Sequence, residues 1–174
     1  MKTVLITGAY GQLGVACTNY LKLNFNVISS GRQSEGMGIK LDITDCDSIE
    51  HAQNEFHPDI ILNLAAMTNV DGCEIDSQLA KSVNVDGVKN LCNGFCGHFI
   101  QISTDYVFDG LSGPYGEGDE VNPLSVYGRT KLEAEDWLSA NHSQTTILRS
   151  NVVYGYTERT DASFVKWVID SLSN

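Results

Sequence analysis

The fold is decided by residues 3–14, which read Thr-Val-Leu-Ile-Thr-Gly-Ala-Tyr-Gly-Gln-Leu-Gly. The first five residues are a short apolar and β-branched run that predicts a buried strand. Three glycines follow in a Gly-x-x-Gly-x-x-Gly turn, and a helical pattern covers residues 15–23. Strand, glycine turn and helix in this order predict a turn that binds the pyrophosphate of a dinucleotide at a helix N-terminus.

Each glycine has its own task in this interpretation. Gly8 permits the tight turn, Gly11 lets backbone N–H groups approach a pyrophosphate, and Gly14 lets the helix pack close to the strand. The spacing differs from the commoner Gly-x-Gly-x-x-Gly, and a flexible glycine turn is the alternative. The position of the turn between a strand and a helix favours the dinucleotide hypothesis.

Strands and helices are predicted to alternate along the rest of the chain. Further strands are expected at residues 26–30, 38–41, 59–64, 98–102 and 145–148. Helices are expected at residues 48–56, 77–95, around 127–131 and at 162–172. Asp45 or Thr44 could cap the helix at 48–56. This alternation predicts a single α/β domain over residues 1–174, a doubly wound parallel sheet with helices on both faces in three layers.

Composition excludes several classes of function. The net charge is −11, which argues against binding to a nucleic-acid backbone but not against binding a small anion through local backbone dipoles. The five cysteines are scattered and form no Cys-x-x-Cys pair, so neither a zinc site nor a disulfide framework is expected. Reduced thiols fit a cytoplasmic protein, and no signal-peptide pattern or membrane-spanning apolar run is apparent.

Tyr127 and Lys131 form a candidate acid/base pair. They lie four residues apart and share one face of the predicted helix. A phenol titrates near pH ~10, and a neighbouring cation favours the phenolate. Such a pair taken alone is more often a chance feature of an exposed helix.

Thr104 follows the predicted fifth strand, at the sheet edge where open α/β folds bind ligands, although an isolated threonine there is more often a turn residue.

The end of the second strand bears on the choice of cofactor. A site for NAD usually has an acidic residue here that takes the ribose hydroxyls. This chain offers Ser30 and Arg32 instead. A guanidinium suits a 2′-phosphate, so NADP(H) is favoured and NAD(H) stays open.

Two polar features have more than one interpretation. Asn84 lies within the apolar pattern of the helix at 77–95. A solvent-facing side chain and a structural or catalytic side chain are equally good interpretations of this residue. Glu117, Asp119 and Glu120 form a loose acidic cluster that could attract Mg²⁺. A solvated acidic loop is the favoured interpretation of that cluster, so no metal-binding residue is assigned.

Seven motifs carry a resemblance to a known family. They are Thr-Gly-Ala-Tyr-Gly-Gln-Leu-Gly (7–14), Asn-Leu-Ala-Ala-Met-Thr-Asn-Val-Asp-Gly-Cys-Glu (63–74), Asn-Val-Asp-Gly (84–87), Ser-Thr-Asp-Tyr-Val-Phe-Asp-Gly (103–110), Pro-Tyr-Gly-Glu-Gly-Asp (114–119), Tyr-Gly-Arg-Thr-Lys (127–131) and Leu-Arg-Ser-Asn-Val-Val-Tyr-Gly (148–155). With these motifs the chain resembles the extended short-chain dehydrogenase/reductases, and most closely their dTDP-4-dehydrorhamnose reductase branch. The resemblance implies a Rossmann-like cofactor domain, and it implies that longer family members add a smaller C-terminal substrate domain beyond residue 174.

The resemblance also implies roles for individual residues. Tyr127 would protonate a keto oxygen, Lys131 would lower the pKa of Tyr127 and hold the nicotinamide ribose, and Thr104 would hydrogen-bond the same oxygen. The substrate would be a 4-keto-6-deoxy nucleotide sugar, and a homodimer stays open. The implied cofactor-binding residues are Gly8, Tyr10, Gly11, Gln12, Leu13, Gly14, Arg32, Asp42, Ile43, Ala65, Ala66, Tyr127 and Lys131.

Two other functions stay open. The regulatory β subunit of methionine adenosyltransferase resembles the same branch and shares the Asp-Tyr-Val-Phe-Asp-Gly run (105–110), so a non-catalytic NADP-binding subunit is an alternative. A nucleotide-sugar epimerase or dehydratase is another, and it would recycle its cofactor without net consumption of NADPH.

Overall fold

The computed structural model describes residues 1–34 and 36–154 together with Leu172. These residues contain six strands: β1 (Thr3–Thr7), β2 (Asn26–Gly31), β3 (Ile39–Lys40), β4 (Ile60–Asn63), β5 (His98–Thr104) and β6 (Thr145–Ser150). All the pairings are parallel, and the strand order is β3-β2-β1-β4-β5-β6. The order reverses between β1 and β4, which confirms the predicted doubly wound sheet.

Six α-helices connect these strands within the described ranges. They are α1 (Gln12–Leu21), α2 (Cys46–Phe56), α3 (Val70–Ile75), α4 (Ser77–Lys81), α5 (Gly87–Cys92) and α6 (Val126–Asn141). A π-helical turn, Ser82–Asp86, separates α4 from α5, and a 3₁₀ turn, Asp105–Val107, follows β5. No helix in these ranges has the length and apolar character needed to cross a membrane.

Several helix predictions need adjustment. Helix α1 begins at Gln12, three residues earlier than predicted, because the glycine turn itself supplies the cap position Gly11. The sequence pattern did not predict α3. The single helix predicted at 77–95 is divided by the π turn and ends at Cys92. The helix predicted at 162–172 lies outside the described residues except for Leu172.

The sheet separates two cores because successive side chains of a strand point to opposite faces. Leu5, Ile61 and Phe99 enter the larger core, which also contains residues of α2, α5 and α6. Val4 and Ile6 enter the smaller core, against which side chains of α1 pack. Helices therefore lie on both faces of the sheet, and the three-layer arrangement is confirmed.

Asn84 is buried and fully engaged in hydrogen bonds, so the solvent-facing interpretation of this residue is wrong. Its side chain lies in the π turn and is 2% exposed. The amide oxygen accepts from the backbone N–H of Met67 at 2.8 Å, and Nδ2 donates to the Met67 carbonyl at 3.1 Å. Nδ2 also lies 3.1 Å from Oγ1 of Thr130, whose hydroxyl donates to the Tyr127 carbonyl. Asn84 thus joins the chain after β4 to the start of α6.

Candidate active site

A cleft of about 900 Å³ opens at the carboxyl ends of the strands. It lies where β1 and β4 are neighbours and their connections leave in opposite directions, which is the usual ligand position in this kind of sheet. The predicted site residues that line it are Gly8, Gly11, Gln12, Leu13, Gly14, Arg32, Asp42, Ile43, Ala65, Ala66, Thr104, Tyr127 and Lys131. The fold therefore places the glycine turn and the three candidate catalytic residues around one space.

Tyr10 is the one predicted cofactor-binding residue that is not among those lining this cleft. Its ring lies beside β2, where a Cβ added to Gly31 would come within 2.8 Å of the Cδ2 atom. A Cβ added to Gly38 would collide with the Tyr10 hydroxyl. The ring lines a smaller hollow that α1 and β2 share. The side chain of Tyr10 therefore supports the backbone of β2.

The close packing of the turn requires glycine at two positions. Gly8 has a φ of +63°, and a Cβ there would meet the backbone of Leu64 and Ala65 at 2.8 Å. A Cβ on Gly14 would lie 2.6 Å from the carbonyl carbon of Ala9. Atoms cannot approach so closely, so a larger residue at either position would push the turn out of place.

The N-terminus of α1 has unused hydrogen-bonding capacity. Asp45 caps α2, as predicted, by accepting from the backbone N–H groups of Asp47 and Ser48, whereas α1 has no side-chain cap. The amide Nε2 of Gln12 is buried without a hydrogen-bond partner. An uncapped helix N-terminus carries partial positive charge and free donors. This end of the cleft is suited to an anionic group such as a pyrophosphate.

A row of buried polar side chains holds the three central strand ends together, and sequence analysis missed it. Thr7 donates to the amide oxygen of Asn63 at 2.5 Å, and Asn63 donates to the Gln101 amide oxygen at 2.8 Å. The Gln101 amide in turn donates to the carbonyl of Ile102. These side chains are adjacent in strand register. A polar residue within each apolar strand was the signal, but only the register showed that the residues meet.

The phenol of Tyr127 is largely buried beside Thr104. Burial raises the pKa of Tyr127 above its usual value, while a hydrogen bond with the Thr104 side chain acts to lower it. The ring also packs edge-on against Tyr106, with 5.8 Å between ring centroids. The predicted lowering of this pKa by Lys131 is not seen in this structure. Tyr127 therefore keeps its proton at neutral pH.

The ammonium group of Lys131 is enclosed by protein. The side chain is 3% exposed, and Nζ donates to the carbonyl oxygen of Ile102 at 2.6 Å. Burial lowers the pKa of Lys131 to about 8, and the charge of Glu135 partly opposes that shift. Lys131 is therefore still mainly protonated at neutral pH, although it is close to losing its charge.

The far end of the cleft holds charged groups where an adenosine would be expected. Arg32 is exposed and lines the cleft beside Asp42, whose carboxylate accepts from the backbone and side chain of Thr44. The backbone hydrogen bond from Thr44 is the main cause that lowers the pKa of Asp42, and Arg32 adds to it. Ser30 is fully buried and donates to the Ile6 carbonyl, so of the two residues offered at the end of the second strand only Arg32 lines the cleft.

The acidic loop has no arrangement that would hold a metal ion. Asp119 accepts from the backbone N–H of Gly116 at 2.6 Å, which leaves its carboxylate turned to its own loop. Across the described part of the chain, no three His, Cys, Asp or Glu side chains are grouped so that they could hold a metal. The five cysteines are all free thiols.

Comparison with known proteins identifies the family. The family described as RmlD substrate binding domain matches residues 1–174. The dTDP-4-dehydrorhamnose reductase of Aggregatibacter actinomycetemcomitans is 40% identical over 162 residues, covering 89% of this chain and 53% of that protein. The methionine adenosyltransferase 2 subunit beta of Bos taurus is 36% identical over 176 residues, covering 98% and 53%. The chain thus spans about half the length of the curated relatives it matches.

Solved structures agree with this assignment. A dTDP-4-dehydrorhamnose reductase from Clostridium acetobutylicum superposes with a TM-score of 0.86 at 41% identity, covering 97% of this chain and 59% of that one. The Bacillus anthracis reductase, solved in complex with NADP, gives a TM-score of 0.85 at 32% identity, covering 98% and 60%. The cleft, the glycine turn and these matches lead to one conclusion: the chain belongs to the RmlD substrate binding domain family, as the resemblance to dTDP-4-dehydrorhamnose reductases predicted.

Proposed function

We propose that this chain is the cofactor-binding part of an NADP(H)-dependent reductase that acts on a 4-keto-6-deoxy nucleotide sugar. One observation carries the proposal: Thr104, Tyr127 and Lys131 line the same cleft as the glycine turn. An acid/base pair on an unrelated surface would have no such relation to a dinucleotide site. The names of the reductase relatives, and the NADP bound to the Bacillus anthracis protein, support the choice of reaction and cofactor.

The residues of the cleft fit a nicotinamide dinucleotide. The glycine turn and the orphaned amide of Gln12 would hold the pyrophosphate. The cleft residues Ala65 and Ala66, which are small, would lie against the adenosine side, and Arg32 would face a 2′-phosphate. When bound, the nicotinamide supplies the hydride for the carbonyl carbon.

The protein's own part is to handle the proton and the developing charge. Tyr127 donates its proton to the keto oxygen, and its raised pKa keeps that proton in place until it is needed at neutral pH. The Thr104 hydroxyl donates a hydrogen bond to the same oxygen and stabilises its negative charge. The charged ammonium of Lys131 donates to the Ile102 carbonyl, and this bond holds α6, with Tyr127, against the strand that carries Thr104.

The test is the oxidation of NADPH by the full-length protein that contains this chain, against a panel of 4-keto-6-deoxy nucleotide sugars. We expect turnover with at least one of them. We expect Tyr127→Phe to reduce kcat by about 10²–10⁴-fold, because the phenol is the proton donor. Tyr20→Phe is the matched control, since Tyr20 is 72% exposed on α1. Unchanged turnover in Tyr127→Phe would refute this mechanism.

A regulatory subunit is the second candidate, because the 36% identity to a methionine adenosyltransferase subunit beta extends over nearly the whole chain. Such a protein would bind NADPH, co-purify with a partner enzyme and turn over no 4-keto sugar. The epimerase alternative receives less support. The UDP-glucose 4-epimerase of Thermus thermophilus is 24% identical, and that likeness shows the fold alone. An epimerase or dehydratase would transform the sugar without net consumption of NADPH.

A further inference from the structure

The side chain of Glu135 is a buried carboxylate on α6, the helix that also carries the acid/base pair Tyr127 and Lys131. It lies on α6 one turn after Lys131 and is 4% exposed. One carboxylate oxygen, Oε1, accepts from the hydroxyl of Ser103. The other, Oε2, pairs with Nη2 of Arg149 at 2.7 Å, and Nε of the same guanidinium lies 3.1 Å from it. The carboxylate is therefore fully used by partners from β5 and β6.

Of these two partners, Ser103 lines the cleft, and Arg149 contacts the loop after β5. Ser103 lies directly before Thr104, so the carboxylate anchors the strand end that presents the Thr104 hydroxyl. Arg149 donates to the carbonyl of Glu117 at 3.2 Å and lies over the Phe108 ring at 5.2 Å. Through these contacts one side chain joins α6, β5, β6 and the loop after β5.

Stability alone does not account for this arrangement. Removing two charges from water is costly, and well-packed apolar residues of similar volume often replace a buried ion pair without loss. A carboxylate in this position does, however, offer two things that an apolar group cannot. It accepts a hydrogen bond from Ser103, and it puts a negative charge one helical turn from the buried Lys131.

We propose that Glu135 is a positioning residue of the acid/base site, which holds Thr104 in place through Ser103 and keeps the buried Lys131 in its charged form. This inference rests on the proposed reductase function. It assigns a task to a residue that contacts neither the keto oxygen nor the nicotinamide, and it explains why an anion is buried at this point of α6.

Electrostatics supports the second half of the proposal. Burial lowers the pKa of Lys131 to about 8, and the charge of Glu135 is what opposes a larger shift. The other charged or titratable groups on α6 and on the elements packed against it are Tyr127, Arg129, Glu133, Asp136, Asp71, Cys73, Glu74, Lys81, Asp86, Lys89, Cys92, His98, Asp105, Tyr106 and Arg149. None of these is a cause of the shift at Lys131. Without Glu135, Lys131 is therefore expected to lose its proton at a lower pH.

The experiment follows the titration of Lys131 directly. The full-length protein, with ¹⁵N- and ¹³C-labelled lysine, is titrated by NMR, and kcat is measured over the same pH range. In Glu135→Gln we expect the Lys131 midpoint to fall by about one pH unit or more. The alkaline limb of the kcat profile should move with it. The control Glu133→Gln, which removes a surface partner of Lys81, should change neither midpoint.

Two further variants separate charge from hydrogen bonding. Ser103→Ala keeps the charge of Glu135, so the Lys131 midpoint should stay while kcat falls by about tenfold, because Thr104 is no longer anchored. Glu135→Asp also keeps the charge but has a shorter side chain. Compared with Glu135→Gln, its Lys131 midpoint should lie much closer to that of the unchanged protein, while its kcat should recover little. These two variants decide the question even if Glu135→Gln does not fold.

A Lys131 midpoint that stays the same in Glu135→Gln would overturn the electrostatic half of the proposal. Full kcat in Ser103→Ala would overturn the positioning half. Failure of the reductase function would look different. Tyr127→Phe would then retain turnover, or no 4-keto sugar would react, while the NMR titration would still report the coupling between Glu135 and Lys131.

Discussion

Lys131 donates a hydrogen bond from Nζ to the carbonyl oxygen of Ile102 at 2.6 Å, and this bond ties the cation of the acid/base pair to the end of β5. Helix α6 is thereby held against the strand that carries Thr104. The bond satisfies a backbone carbonyl, but it does not replace the water lost by the ammonium group, and burial lowers the pKa of Lys131 to about 8.

This shifted pKa has a consequence for stability. The value in the folded protein lies below the usual 10.5, so between these pH values the unfolded chain binds the proton more strongly. The free energy of unfolding should therefore rise with pH from about 8 to about 10.5 by about 1–3 kcal/mol, and Lys131→Met should lack this rise. Urea unfolding at several pH values measures it. The exposed Lys22→Met is the control, and an equal rise in Lys131→Met would contradict the prediction.

The tight packing around Gly14 predicts that even alanine at this position will lower the free energy of unfolding and weaken NADPH binding. A methyl group there would lie 2.6 Å from the carbonyl carbon of Ala9. We expect Gly14→Ala to lose about 1–3 kcal/mol of unfolding free energy and to weaken NADPH binding at least tenfold, because the turn must move. Urea unfolding and a fluorescence titration with NADPH measure the two effects. Gly118→Ala is the control, since a methyl group at Gly118 meets no atom within 4 Å.

The position of Arg32 leads to a prediction about how strongly NADPH and NADH each depend on this residue for binding. Its guanidinium is exposed at the edge of the cleft, where a 2′-phosphate would be paired. Arg32→Ala should weaken NADPH binding by about tenfold, which corresponds to the loss of one charge-assisted hydrogen bond. Binding of NADH, which lacks the phosphate, should change less than about twofold and serves as the internal control. Equal weakening for both cofactors would count against a phosphate contact.

The hydrogen bonds of Asn84 predict that replacing this residue will destabilise the fold and remove a contact that supports Tyr127. Asn84→Ala would leave both backbone groups of Met67 without their partner and would release Thr130, which supports Tyr127. The expected loss of unfolding free energy is about 2–4 kcal/mol, measured by urea unfolding. The exposed Asn54→Ala is the control, with an expected change within about 0.5 kcal/mol. A similarly small change in Asn84→Ala would mean that water replaces the amide.

Local pattern was enough to predict most of the strands and helices. Buried parallel strands appear as short apolar runs, and Gly8 and Gly14 can be recognised because they stand between such a strand and a helix. The gathering of Thr104 with the glycine turn was also predictable, since all parallel strands end at one edge of the sheet. Helix α3 and the π turn were not, because both depend on contacts made far along the chain, such as that of Asn84 with Thr130.

Side-chain direction could not be predicted from the sequence. Ser30 stands at the end of β2, but its hydroxyl turns inward to the Ile6 carbonyl. Tyr10 lies within the glycine motif, but its ring packs on β2 instead of lining the cleft. In both cases the chain position was correct and the local packing determined which space the side chain entered.

The Tyr127–Lys131 pair also combines one feature that the sequence determines with another that only the folded structure determines. The spacing of four residues determined that both lie on one face of a helix, because the helical repeat is a local property of the backbone. Whether the phenol is more or less acidic than usual depends on desolvation and on neighbours from distant segments, such as Thr104 and Cys73. The sequence by itself therefore determined the fold and the residues available for chemistry. Only the tertiary structure decided their protonation, because burial and long-range contacts exist only once the chain has folded.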